Sequence, residues 1–287
     1  MRLLLNLFKL RIGVAIALAA VAGIAVMPAA ARGALQGWQM AVLTLAVLVS
    51  SAAAGAFNQY AERDLDARMA RTRGRPFVTG ALVHGPAWLW VIGAMTLASV
   101  LAAALATNWL AAFHVFMGAF TYGVVYTVWL KRRSWTNIVV GGLAGSFAVM
   151  AGAAAVSPEM SPAAIWLAIA LFLWTPPHFW SLAIVCRKDY AAAGVPMLPV
   201  VVGDARCARI ILGSAALLVA STLMPAFHGM GWIYLGSAVA GGAYFLATCV
   251  ALVRHPGPPA ARASFRASLV QLSLVLLGTI ADSALRG

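Results

Sequence analysis

The chain of 287 residues is poor in charge and poorer still in acid: charged residues make up 9% of it, and only seven are Asp or Glu. An average soluble domain has about a quarter of its residues charged, so a wholly water-facing surface is excluded. Cysteine is equally scarce. Cys186, Cys207 and Cys249 form no C-x-x-C pair and are odd in number, which excludes a disulfide framework and a cysteine zinc site.

What is abundant is apolar: 63% of the residues are hydrophobic, gathered in repeated runs of about twenty, the length that crosses ~30 Å of hydrocarbon. Nine such runs are predicted as membrane-spanning helices, at residues 12–28, 38–57, 88–107, 110–130, 138–156, 163–184, 210–227, 232–253 and 269–285. The chain therefore reads as all-α, a polytopic membrane bundle in which residues 1–287 form a single domain. The first run has a rival reading as a signal peptide, because Ala29-Ala30-Ala31 follows it in an A-x-A pattern. The charges before it, Arg2, Lys9 and Arg11, equally suit an inside-facing first helix.

A net charge of +13 is also the footprint of a nucleic-acid binder. Its distribution argues otherwise. With the N-terminus inside, successive loops alternate out and in, and 18 of the 20 Lys and Arg fall in inner segments, leaving Arg32 and Arg286 outside. The positive-inside rule accounts for the basicity without any nucleic acid. The inner loops at 60–87 and 187–209 are also the long ones, and long loops in a compact protein are usually functional.

Three of the seven acids lie near the start of the first of these loops, in the stretch NQYAERDLDARMARTRGRP at residues 58–76. Asn58, Glu62 and Asp66 recur every fourth residue; if the second helix continues through them, they share one face over roughly 12 Å, and Asp64 points away. Such a ladder suits magnesium, a hard ion that takes one or two carboxylates and fills its shell with water and phosphate oxygens. A solvated helix end, with Glu62 paired to Arg63 and Asp66 to Arg68, is the competing reading. Arg71, Arg73 and Arg75 and the run Lys131-Arg132-Arg133 either satisfy topology or clamp phosphate, which guanidinium binds in a forked geometry.

In the second loop, Asp189 either offers another carboxylate to a metal–diphosphate site or pairs with Lys188. The segment GVPMLP at 194–199 is predicted to be extended by its two prolines and placed to cover a lipid-like substrate. Pro176-Pro177 is predicted to kink the sixth helix beside His178. That histidine is either a hydrogen-bonded packing group or a metal or haem ligand. Gly141 and Gly145 have the small-x-x-x-small spacing of close helix contact.

Together these residues resemble the intramembrane aromatic prenyltransferases of the UbiA superfamily, and within it the protohaem IX farnesyltransferase (haem O synthase) family. Asn58, Glu62 and Asp66 match N-D-x-x-D-x-x-x-D, with Gln59 in place of the first Asp. Asp66, Met69, Arg71, Thr72, Arg75 and Pro76 match the haem branch's D-x-x-M-x-R-T-x-x-R-P. Tyr126-Thr127 with Leu130-Lys131-Arg132 resembles the end of the family's fourth helix. Pro177-His178-Phe179-Trp180, Asp189-Tyr190 and residues 194–201 resemble its second signature, with Ala193 where relatives outside the haem branch carry a further Asp. Residues 7–12 are similar to its L-T-K-P-R opening, with Phe8 and Leu10 replacing Thr and Pro, which favours a retained first helix.

The resemblance covers nearly the whole chain. It implies farnesyl transfer from farnesyl diphosphate to a vinyl group of haem B, giving haem O for terminal oxidase assembly, in a multi-pass protein of the bacterial inner-membrane type with the N-terminus and active-site loops cytoplasmic. It implies Mg2+ held by Asn58, Glu62, Asp66 and Asp189, which form the catalytic set. Arg71, Arg75, Lys131, Arg132 and Lys188 would bind the diphosphate and His178 the haem. Implied partners are the lipid bilayer and a contact with haem A synthase or oxidase assembly. Prenylation of a quinone precursor is the alternative within the same chemistry. A transporter is the alternative of another kind, opposed by acids that cluster at one mouth instead of the midplane.

Overall fold

In hydrocarbon every backbone N–H and C=O must be satisfied within its own segment or a closed barrel. The computed structural model describes residues 2–286, apart from the side chain of Arg2, and among them it contains helices and turns but no strand. Met1, Gly287 and the inside charge expected of Arg2 lie outside the described residues. The spans are α1 (Leu10–Ala25), α2 (Gly37–Ala61), α3 (Ala87–Ala106), α4 (Trp109–Leu130), α5 (Asn137–Val156), α6 (Pro162–Val185), α7 (Asp204–His228), α8 (Trp232–Arg254) and α9 (Pro258–Arg286). Eight are long and apolar enough to cross a membrane; α1, at 16 residues, is shorter.

Each of the nine expected spans has its helix, but two start earlier than composition suggested. α9 begins at Pro258 and not near 269, so Arg262 and Arg266 are helical and not in a loop. Its first turns carry Ala261, Ser264, Ala267 and Ser268, all fully buried, so the start is held by tertiary packing that a hydropathy window does not register. α7 begins at Asp204, where an average over Arg206 and Arg209 hid it. α6 runs as one helix, Pro162–Val185, with Pro176 and Pro177 inside it. The 194–199 segment is non-helical only as far as Met197; Pro199 sits at the second position of the helix Leu198–Val202, where its missing N–H costs nothing.

Small residues set the packing, as they must where lipid removes the hydrophobic drive between helices. α1 is threaded between α2, α5 and α9. A methyl group on Gly23 would stand 2.1 Å from the Val149 carbonyl oxygen, and one on Gly152 2.0 Å from that of Ala20, so the α1 and α5 backbones touch. Gly141 makes room for the Tyr126 ring and Gly145 faces Leu171, which supports the reading of that glycine pair as a contact surface.

The bundle has two unlike ends. At one, turns are short and tied by amides: Gln39 Nε2 donates to Ala106 O at 2.7 Å, and Asn108 Nδ2 to Ala154 O at 2.7 Å. At the other, α2 runs on through Glu62 into the short helix Arg63–Ala67, and α6 through Cys186 into Arg187–Ala192. Those two extensions and their loops build the site.

Candidate active site at one end of the bundle

At Glu62 the backbone leaves ideal helix (φ −100°, ψ 13°), yet Glu62 N still reaches Asn58 O at 3.0 Å and Asp66 N reaches Glu62 O at 2.8 Å. The four-residue ladder therefore survives the bend. Asn58, Glu62 and Asp66 are 2%, 1% and 0% exposed, while Asp64 faces solvent. This is the division of faces that the spacing predicts.

Buried charges persist only if paired and hydrogen-bonded. Here the partners come from afar. Lys131 Nζ lies 2.6 Å from both carboxylate oxygens of Glu62, and Arg75 Nη1 donates to Asp66 Oδ2 at 2.6 Å while standing 3.9 Å from Glu62. The solvated pairs Glu62–Arg63 and Asp66–Arg68 do not form. Thr72 Oγ1 donates to Asp66 O at 3.1 Å and buried Met69 anchors the loop, which folds the arginines back over the acids. Burial raises the Asp66 carboxyl above the usual carboxylate range, with Arg75 pulling the other way.

The structure does not bring all the expected residues to this pair. Arg132 turns outward, both terminal nitrogens 2.7 Å from Asp64 oxygens, and that hydrogen-bonded pair holds the Asp64 carboxyl low. Lys188 lies exposed on its short helix. Asp189 meets the other loop through backbone: its Oδ2 accepts from Arg71 N at 3.2 Å, and Arg71 Nη2 lies 3.5 Å from the Tyr190 hydroxyl. Among the described residues no three Asp, Glu, His or Cys side chains converge at metal-binding range. Asp66 Oδ1, however, is a buried acceptor with no partner, an oxygen that fits a hard cation.

Sequence reasoning missed Lys9, Tyr122 and Thr127. Lys9 Nζ donates to Asn58 Oδ1 at 2.6 Å and to the Tyr122 hydroxyl at 3.1 Å; Asn58 Nδ2 donates to Thr127 Oγ1 at 3.0 Å. Lys9 has left-handed backbone (φ 47°, ψ 42°), alone among the described non-glycine residues, a strain of the kind that clusters at active sites. Gly55 lies against its methylenes. Burial, joined by Arg75, lowers the Lys9 ammonium to about 7. Two signals were available: lysine occurs three times in the chain, at 9, 131 and 188, and both Lys9 and Thr127 fall in segments that resemble the family's.

The last ten residues of α4, Thr121–Leu130, are wound as a π-helix. Tyr122 and Tyr126 stack at 5.5 Å, with Lys9 and Lys131 each 5.6 Å from one of their rings. Beside them an apolar groove of about 170 Å³ is lined by Phe57, Phe116, Phe120 and Gly123 among others. Lower in α6, His178 is buried, stacked on Trp174 at 4.0 Å and on Phe265 at 4.5 Å.

The sequence profile described as the UbiA prenyltransferase family matches residues 16–275. This chain belongs to the UbiA prenyltransferase family. Its relatives include proteins named protoheme IX farnesyltransferase 2 and protoheme IX farnesyltransferase 1 from Paramagnetospirillum magneticum. The first is 55% identical, over 100% of this chain and 99% of the relative; the second is 44% identical over 97% of each. Among solved structures, digeranylgeranylglyceryl phosphate synthase superposes with a TM-score of 0.76 over 98% of both chains at 13% identity. A UbiA homologue from Archaeoglobus fulgidus bound to DMAPP and Mg2+ superposes with 0.69, over 95% of this chain and 99% of that one, at 17% identity. These two likenesses show the all-helical fold; the family match and the apolar spans make it that of a multi-pass membrane protein.

Proposed function

We propose that this protein transfers a farnesyl group from farnesyl diphosphate to a vinyl group of haem B (protohaem IX), giving haem O for terminal oxidase assembly. The observation that carries the reading is the buried cluster at the mouth: two carboxylates and an amide, each on a cation delivered by a different segment. Full-length relatives named for this reaction supply the identity of donor and acceptor.

Lys9, Arg75 and Lys131 are the cations that meet the diphosphate, with Arg71 and Lys188 at the rim; Arg132 contributes to the field from its place on Asp64. Fixed charges aimed at a leaving group act most strongly where water is excluded. Asn58, Glu62 and Asp66, with Asp189 on the facing loop, would hold Mg2+, which when bound neutralises charge on the departing diphosphate. The stacked Tyr122 and Tyr126 present π faces to the allylic cation that is left behind. The groove beside Phe57 takes the apolar tail. The acceptor vinyl group attacks the farnesyl carbon as the diphosphate leaves, and water adds to the resulting cation beside the porphyrin and gives up a proton to solvent, leaving the hydroxyl; His178 would bind the haem through its iron. The site opens to the cytoplasm, and the product passes to haem A synthase or oxidase assembly by contact.

The test is to incubate purified protein with haem B, farnesyl diphosphate and Mg2+ and to analyse the pigments by mass spectrometry. Farnesylated haem is expected; a prenylated aromatic acid in its place, under matched conditions, would assign the acceptor to the quinone-precursor class.

A further inference from the structure

Ser268 on α9 ties α9 to α6 beside the buried histidine. Its hydroxyl donates its single proton to the Phe265 carbonyl at 2.7 Å, one turn back in α9. The same oxygen lies 2.7 Å from His178 Nδ1. With that proton already committed, the oxygen accepts, so the imidazole carries its hydrogen on Nδ1. Nε2 then bears a free electron pair, and it makes no hydrogen bond among the described residues although His178 is only 6% exposed. Unlike the two His114 nitrogens, Nε2 is not sealed in, so this unpartnered basic nitrogen is open to a Lewis acid or a proton donor. The ring cannot swing away, since Trp174 and Phe265 stack on it and Trp174 Nε1 donates to Ser268 O at 2.8 Å. His114 makes the contrast. It is buried too, but both of its nitrogens lack partners, so nothing fixes its tautomer.

We infer that Ser268 is a positioning residue: by accepting from Nδ1 it holds His178 in the tautomer whose Nε2 binds the iron of the porphyrin acceptor. This rests on the haem reading above. Metal-binding histidines characteristically donate their other ring N–H to a fixed acceptor, and loss of such a partner costs about 10–100-fold in affinity.

Two measurements test it. Solid-state NMR of protein with 15N-labelled histidine, His178 being assigned by its loss in His178→Gln, should show a protonated Nδ1 and an unprotonated Nε2. A protonated Nε2 overturns the inference. In titrations with ferric haem B, the wild type should give an imidazole-ligated spectrum. Ser268→Ala should lower haem affinity about tenfold and shift that spectrum; Ser268→Thr, which keeps the hydroxyl, should restore both. Farnesyl diphosphate binding should stay constant throughout. Haem binding and spectrum unchanged by Ser268→Ala overturn the role of Ser268 alone. A wild type that binds no haem overturns the acceptor reading along with the iron role.

Discussion

Asp66 bears two kinds of contact: one oxygen on Arg75, the other buried and bare. Asp66→Asn keeps the shape and an acceptor for Arg75 but removes the charge. Turnover is expected to fall at least about a hundredfold, the cost of losing one electrostatic group from a preorganised site, with the thermal unfolding midpoint near that of wild type. Near-normal turnover would remove Asp66 from the site. Lys9 is judged by pH. Its ammonium sits among Arg75, Glu62, Lys131 and Asp66 and is lowered to about 7, so it is charged below neutrality and loses its proton as the pH climbs through that value. Farnesyl diphosphate should therefore bind more weakly as pH rises through about 7, and Lys9→Met should bind weakly at every pH without that limb. An identical pH profile in the variant would take Lys9 out of the binding site. Asp66 and Glu62 were recognisable from spacing alone. Lys9 was not, because it is 49 residues from Asn58 and only the fold sets its left-handed turn beside Gly55.

Among the helices, α4 shows why spacing is an incomplete guide. At the α-helical 3.6 residues per turn, Lys131 would lie about half a turn away from Tyr122. Wound at about 4.4 residues per turn, as i→i+5 bonding requires, the two nearly align. Lys131 N bonds to Tyr126 O at 2.9 Å and Thr127 Oγ1 to Tyr122 O at 2.8 Å, both five residues back. The α1–α5 contact yields a different kind of forecast. Gly152→Ala drives a methyl into the Ala20 carbonyl and should cost about 1–3 kcal/mol of stability in a detergent unfolding measurement. Gly213 in α7 has open space around its missing methyl, so Gly213→Ala should be neutral or stabilising by up to about 1 kcal/mol. Equal effects at the two positions would mean that α1 and α5 do not touch in the membrane.

Across the whole bundle, charge and chemistry sit together: the ends of α2 and α6 that carry the acids share a side with the basic run that follows α4, so sidedness is testable at one stroke. In a background with Cys186, Cys207 and Cys249 replaced, a cysteine at the exposed Asp64 should react with an impermeant thiol reagent only from the cytoplasmic side, and one at Gly229 only from the other. Reversed labelling would overturn the orientation, though not the fold. Span number, the basic end and the Asn58–Glu62–Asp66 face were set locally, by twenty-residue apolar runs, the counting of Lys and Arg, and a helical repeat of four. The partners were not. Lys131 on Glu62, Arg75 on Asp66, Lys9 on Asn58 and Ser268 on His178 join residues 69, 9, 49 and 90 apart, and Arg132 is diverted to Asp64. Burial leaves each of those groups in need of one neutralising or hydrogen-bonding neighbour, but which neighbour arrives depends on how helices pack, and packing is a property of the bundle that no single stretch of chain contains.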